Sequence, residues 1–215
     1  EWRDGAYRRT LRLPHGHGIV ALTPRPDHIA CTLHVTDFRD VATAVARCRR
    51  LLDLDADPVA VDDALSEDAA LAPVVLKAPG RRIPGTVDGP ELAIRAVLGQ
   101  QVSTAAARTH ARRVVEAAGE RVEDPAGGLS HLFPAPAAIA SLDPAVLRLP
   151  QNRRATVVSL AGRLADQSLD LGAGGDWERA RVALHALPGI GAWTAETVAM
   201  RALGDPDAFV AGDLG

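Results

Sequence analysis

The chain has 215 residues, enough for one large domain or two to three small ones. Lysine and arginine number 24 against 27 aspartates and glutamates, a net charge of −3 that excludes a general polyanion binder, so any contact with nucleic acid has to be local. Two cysteines exclude a zinc pattern and a four-cysteine cluster loop, and without a signal-peptide pattern or a membrane-spanning run a reducing, cytoplasmic setting is expected.

The first third reads as strands at 7–13, 18–24 and 28–36, separated by turn residues. In the last of these Ile29, Cys31, Leu33 and Val35 alternate with Ala30, Thr32, His34 and Thr36, one apolar face and one polar. A helix follows at 41–52, with Val41, Val45, Cys48 and Leu52 as its apolar stripe. Cys31 and Cys48 are then expected to point into the core as small hydrophobes. His15, His17 and His28 lack a third ligand at useful spacing, and Asp53, Asp55 and Asp57 lack the glycine and bidentate glutamate of a calcium loop, so turns are expected at both places.

Residues 73–90 are rich in Pro, Gly and Arg and read as a linker or extended connection. Asp88 to Glu91 has capping-box form, with Pro90 available for the first turn. Helices are expected at 90–98, 103–118, 136–142, 144–147, 153–167, 177–186 and 192–203.

The densest signal is 187–213, LPGIGAWTAETVAMRALGDPDAFVAGD. Asp176 can cap a helix whose apolar positions are Val182, Ala183, Leu184 and Ala186. Pro188, Gly189 and Gly191 break it. Helical pattern resumes with Ala195, Val198, Ala199 and Leu203 on one face, and Gly204 then Pro206 end it. The second helix thus begins with free N–H groups after a bare glycine turn, which is an anion site. An ordinary αα-hairpin with a glycine turn also accommodates LPGIG.

LGQQVS, LPGIGAWTA, FVAGD and DLG together resemble the helix-hairpin-helix DNA glycosylases, specifically the AlkA-type DNA-3-methyladenine glycosylase II. The likeness covers almost the whole chain. YRRTLRL through RRLLDLDADP resembles the family's N-terminal domain. PGTVDGPELAIRAVLGQQVSTAAARTHARRVV, FPAPAAIASLDP and LPQNRRATVVSLAGRLA resemble helices of its catalytic core. The resemblance implies an α+β fold, mostly α: an N-terminal antiparallel α/β domain followed by a helical core. The first domain would be residues 1–64. The core would be 89–205, with the helix-hairpin-helix at 177–203. Residues 65–88 with 206–215 would contribute to a third, helical subdomain, the active cleft lying between the last two. The chain reads as a fragment trimmed at both ends. Family members continue with helices that wall the cleft, and without them the active site is expected to be incomplete. The likeness extends to the C-terminal part of fused Ada–AlkA proteins, where a methyl-accepting regulator precedes the glycosylase.

Residue by residue, the resemblance gives the backbone N–H groups of Gly189, Gly191 and Thr194 to a DNA phosphate. It gives the carbonyls of His185, Leu187 and Ile190 to a monovalent cation, sodium or potassium, bridging to phosphate. Gln101, with Gln100 beside it, stands at the wedge that fills the gap left by a flipped base, where the best-known members carry Leu; from the residues alone a helix-joining turn fits as well. Trp193 matches the position that stacks on the base, although its amphipathic position alone suits a core tryptophan beneath the hairpin. Thr197 and Leu214 match positions where some relatives place aromatics, so a less aromatic base pocket is implied. Asp213 matches the carboxylate that stabilises oxocarbenium character at the sugar. Asp205 and Asp207 flank Pro206 at a helix stop, where turn chemistry accounts for them.

Bifunctional relatives carry Lys at position 193. Here it is Trp, and the sole lysine is Lys77, so no Schiff-base lyase is expected. No iron–sulfur cluster and no cofactor for the chemistry are implied. The implied function is base-excision DNA repair by a monofunctional glycosylase. It would hydrolyse the N-glycosidic bond of alkylated purines, of the 3-methyladenine and 7-methylguanine type, after base flipping, leaving an abasic site. The partner would be double-stranded DNA containing alkylated bases, the enzyme a monomer without membrane association. Two alternatives stand beside it: a glycosylase of the same superfamily acting on oxidised or mismatched bases, and a non-catalytic DNA-binding or alkylation-damage-sensing module using only the hairpin.

Overall fold

Alternating apolar residues make the first element a sheet. The computed structural model describes residues 1–211, in which β1 (Trp2–Arg3), β2 (Ala6–Arg12), β3 (His17–Pro24) and β4 (Ile29–Val35) form an antiparallel sheet in that order. Tyr7 pairs with Leu22 and Leu11 with Gly18, while Leu22 pairs in turn with Cys31. Leu11, Val20 and Leu22 bury one face against Ala44 and Cys48 of α1 (Val41–Leu51) and against Val87.

Two expectations for this layer are corrected. The buried stripe of α1 runs through Ala44, Cys48, Leu51 and Leu52, while Val41 and Val45 are exposed. Cys48 is buried, but Cys31, on the edge strand β4, is exposed even though its thiol lies beside that of Cys48. A 3₁₀ turn, Phe38–Asp40, leads into α1, and Asp37 caps it by accepting from the Arg39 N–H at 2.9 Å. The Arg39 side chain and amide hold the Asp37 carboxyl down at about 2. Asp40 is buried and accepts from the His15 amide at 3.1 Å, with His15 Nδ1 at 2.9 Å, fastening the β2–β3 turn. His15 is thus occupied structurally, and no group of three potential metal ligands occurs among the described residues.

The turn expected at 53–57 is present; α2 (Pro58–Ser66) follows it where no element was read, and α3 (Ala72–Lys77) occupies the start of the stretch read as a linker. Asp57 caps α2, accepting from Val59 at 3.0 Å and Ala60 at 3.2 Å, and neither helix has a fully buried residue.

The larger core is helical. It is built by α4 (Gly89–Leu98), α5 (Thr104–Ala118), α6 (Pro136–Ala140), a 3₁₀ turn at Pro144–Leu147, α7 (Gln151–Ala165), α8 (Trp177–His185) and α9 (Ala192–Val198). Ile94, Val97 and Leu98 of α4 meet Val114, Ile139, Leu160, Leu184 and Val198 in one buried cluster. Asp88 caps α4 by accepting from the Glu91 N–H at 2.8 Å. The Glu91 carboxylate takes Arg9 from the sheet and Arg95 from its own helix, each at 2.7 Å, and Arg95 lies 4.7 Å over the Phe133 ring.

Arg8 fastens the sheet to the loop after α5. It is buried and reaches Asp124 at 2.6 Å, Glu1 at 2.7 Å and the Gly127 carbonyl at 2.9 Å. Burial pushes the Asp124 carboxyl up, but hydrogen bonds from the Leu129 and Ala126 amides and from Arg8 outweigh it and hold it below its ordinary value.

Candidate nucleic-acid interface

The hairpin begins where α8 runs out. Asp176 caps α8 by accepting from the Arg179 N–H at 3.0 Å. Of the expected apolar positions Leu184 is buried and Ala183 packs against the core, while Val182 and Ala186 are exposed and Ala180 is buried instead. Leu187, Pro188, Gly189 and Ile190 then form a turn closed by the Ile190 N–H on the Leu187 carbonyl at 3.1 Å. Proline at the second place and glycine with φ +88° at the third give the type II pattern, since only the left-handed region serves the third residue.

Side chains from two other elements hold this turn. Thr156 of α7 donates its hydroxyl to the Pro188 carbonyl at 2.9 Å. Gln100, in the turn between α4 and α5, donates from Nε2 to the Gly189 carbonyl and to Thr194 Oγ1, both at 3.0 Å. Gly191 is the N-cap of α9, and Ala195 is the first to bond back, to the Gly191 carbonyl at 3.0 Å. Among the described residues the N–H groups of Gly189, Gly191 and Thr194 have no acceptor.

A cavity of about 830 Å³ joins these parts. Gly189, Gly191, Trp193 and Thr194 line one side, Gly99, Gln100 and Gln101 another, and Asn152, Arg153, Thr156 and Ser159 of α7 a third. Gln101 is exposed with φ +53° at the tip of its turn, whereas Gln100 is turned inward. Trp193 is 42% exposed on the cavity wall, not beneath the hairpin. Thr197 does not line this cavity; its hydroxyl donates to the Trp193 carbonyl at 2.7 Å. The carbonyls of His185, Leu187 and Ile190 lie along the end of α8 and the turn, with Leu187 taking the turn bond. Asp213 and Leu214 lie outside the described residues.

The α7 contribution escaped the sequence reading, because Asn152, Arg153 and Ser159 are ordinary polar residues along a helix. Its charge matters. Desolvation first, then Arg113 and Arg153, push the His110 imidazole below its ordinary value. In a chain of net charge −3, Arg153 places a positive charge on the cavity wall beside the hairpin.

Beyond Val198 the helix widens to a π-helix, Ala199–Leu203, stopped by Gly204 at φ +74°. Asp205 does more than turn chemistry. It accepts from the Asp207 N–H at 2.9 Å, and it is buried against Arg181 at 2.6 Å. Arg181 also grips Glu196 at 3.1 Å, and Glu196 accepts from the Phe209 amide at 3.3 Å. This cluster anchors the segment leading towards Asp213.

Residues 1–88 match the AlkA N-terminal domain. The chain is 62% identical over 215 residues to the probable bifunctional transcriptional activator/DNA repair enzyme AlkA of Mycobacterium tuberculosis, covering 100% of this chain and 43% of that protein. It is 35% identical over 217 residues to DNA-3-methyladenine glycosylase 2 of Escherichia coli, covering 98% of this chain and 73% of that protein. The chain therefore spans less than half the length of the mycobacterial relative. The solved 3-methyladenine DNA-glycosylase from Archaeoglobus fulgidus superposes with a TM-score of 0.82 at 24% identity, over 99% of this chain and 73% of that one. An 8-oxoguanine glycosylase/lyase of Clostridium acetobutylicum in complex with double-stranded DNA gives a TM-score of 0.72 at 16% identity, over 94% and 71%. These structures share the fold. With the identity to the E. coli protein extending over nearly all of this chain, the chain belongs to the AlkA family of helix-hairpin-helix DNA glycosylases.

Proposed function

We propose that this chain is the glycosylase part of a base-excision repair enzyme, hydrolysing the N-glycosidic bond of alkylated purines in double-stranded DNA and leaving an abasic site. The observation that carries the reading is the single cavity shared by the hairpin amides, Gln101 and Trp193. A phosphate on the amides of Gly189, Gly191 and Thr194 would hold the strand, and a monovalent cation on the carbonyls of His185, Leu187 and Ile190 would strengthen that grip. Gln101 would fill the gap left by the extruded nucleotide, a hydrogen-bonding plug in place of an apolar one. Trp193 would stack on the flipped base, where a cationic methylated purine gains cation–π attraction.

Alkylation at N3 or N7 makes the purine a good leaving group, so little acid catalysis is required. The sugar develops oxocarbenium character, and the ionised Asp213 would stabilise it and orient water. Trp193 offers no amine, and the only lysine, Lys77, ends α3 and is exposed, so hydrolysis without strand cleavage is the expected course. Incubation of the chain extended by the family's C-terminal helices with methylated duplex DNA tests this. Release of 3-methyladenine without strand nicking, and no protein–DNA adduct on borohydride reduction, is the expected result. A borohydride-trapped adduct would overturn the monofunctional course.

A further inference from the structure

We propose that Gln100, with Thr156, is a positioning residue of the phosphate clamp rather than part of the wedge; the inference rests on the hairpin gripping DNA as proposed above. The two side chains act on consecutive carbonyls. Thr156 Oγ1 donates to the Pro188 carbonyl at 2.9 Å, nearer than the Asn152 carbonyl of its own helix at 3.1 Å, and Gln100 Nε2 donates to the Gly189 carbonyl at 3.0 Å. The described peptides are all trans, so the Gly189 N–H points opposite to the Pro188 carbonyl. Drawing that carbonyl in towards α7 turns the N–H out, towards an anion. A type I turn would flip this middle peptide; Thr156 holds it in the type II orientation.

Gln100 has a second effect. Its carboxamide NH₂ only donates, so Thr194 Oγ1, 3.0 Å away and buried, must serve it as an acceptor. The Thr194 hydroxyl keeps its own proton to give, beside the free Thr194 amide. Gln100 thus links the turn that carries Gln101 to the hairpin, and among the described residues the hairpin's amide donors keep no protein acceptor. Its side chain is spent on these contacts and is not available to fill a gap in DNA.

The test is equilibrium binding of the full chain to an undamaged duplex and to one with an abasic-site analogue, together with fluorescence of a 2-aminopurine beside the analogue. Gln100→Leu and Thr156→Val are expected to weaken binding to both duplexes by the same factor, about tenfold. At saturating protein the 2-aminopurine signal is unchanged. Thr156→Ser restores affinity, which a purely space-filling role would not predict. Gln101→Ala shows the converse, the fluorescence signal lost at saturating protein. Thermal midpoints accompany each variant, and Gln100→Glu, which keeps the shape and loses both donors, replaces Gln100→Leu if that variant unfolds. Gln100→Leu that retains affinity and loses only the fluorescence signal would return Gln100 to the wedge and overturn the inference. So would a Thr156→Ser variant as weak as Thr156→Val. Wild-type chain that binds neither duplex would sink the DNA reading itself.

Discussion

A Cβ built on Gly189 would lie 2.1 Å from Thr156 Oγ1, the atom that holds the Pro188 carbonyl in place. Backbone and side chain thus both require glycine here, one for φ +88° and one for space. Gly189→Ala is expected to cost about 1–2 kcal/mol in backbone strain alone and to push Thr156 off its acceptor. Duplex affinity should fall more than the thermal midpoint does. Tight binding by Gly189→Ala would show that the turn is not the clamp.

Trp193 separates function from stability. It is 42% exposed, so Trp193→Ala should cost less stability than loss of a fully buried aromatic, below about 3 kcal/mol. Excision of a methylated purine should drop by the worth of one base–aromatic stack, about 1–3 kcal/mol in the transition-state term. Parallel denaturant titrations and single-turnover excision would check this; a large stability loss with intact excision would make Trp193 a structural residue.

The buried pair Arg8–Asp124 governs acid stability. The side chains are 9% and 2% exposed. Asp124→Ala leaves Arg8 without its closest partner and should destabilise by about 3–5 kcal/mol. The folded-state Asp124 lies below the ordinary 3.8, so its contribution is full above the unfolded-state value and is lost as pH falls through the folded one. Denaturant midpoints should decline below about pH 4 in the wild type, and less steeply in Asp124→Ala.

Much of this was legible in the sequence. β2, β3 and β4 fall where strands were read, the caps Asp88 and Asp176 both accept the amides expected of them, and the glycine turn falls at 188–191. The failures have physical causes. α2 and α3 lack a fully buried face, so no stripe announces them, and only Asp57 at a cap does. Cys31 has the right parity for burial, but edge position is a property of the whole sheet. The α7 wall of the cavity and the inward turn of Gln100 arise from contacts between segments far apart in the chain, which periodicity does not encode.

Arg181 bridges Glu196 and Asp205 at the end of the hairpin. Arg181→Met would strand the buried Asp205 carboxylate, at about 3 kcal/mol or more. The segment from Asp205 to Phe209 should then loosen. Limited proteolysis should cut it faster in Arg181→Met than in wild type, while cleavage rates equal in both would show that the cluster does not anchor it.

The most direct measurement is release of free bases from methylated duplex DNA, with this chain, with a version carrying the family's C-terminal helices, and with Asp213→Asn in that version. Release of 3-methyladenine by the extended wild type is expected. Asp213→Asn should bind the same DNA with near wild-type affinity and slow release by about 3–4 kcal/mol, several hundredfold. Duplex binding through the hairpin with no alkylated base released by the extended wild type would contradict the glycosylase reading and leave a damage-binding module.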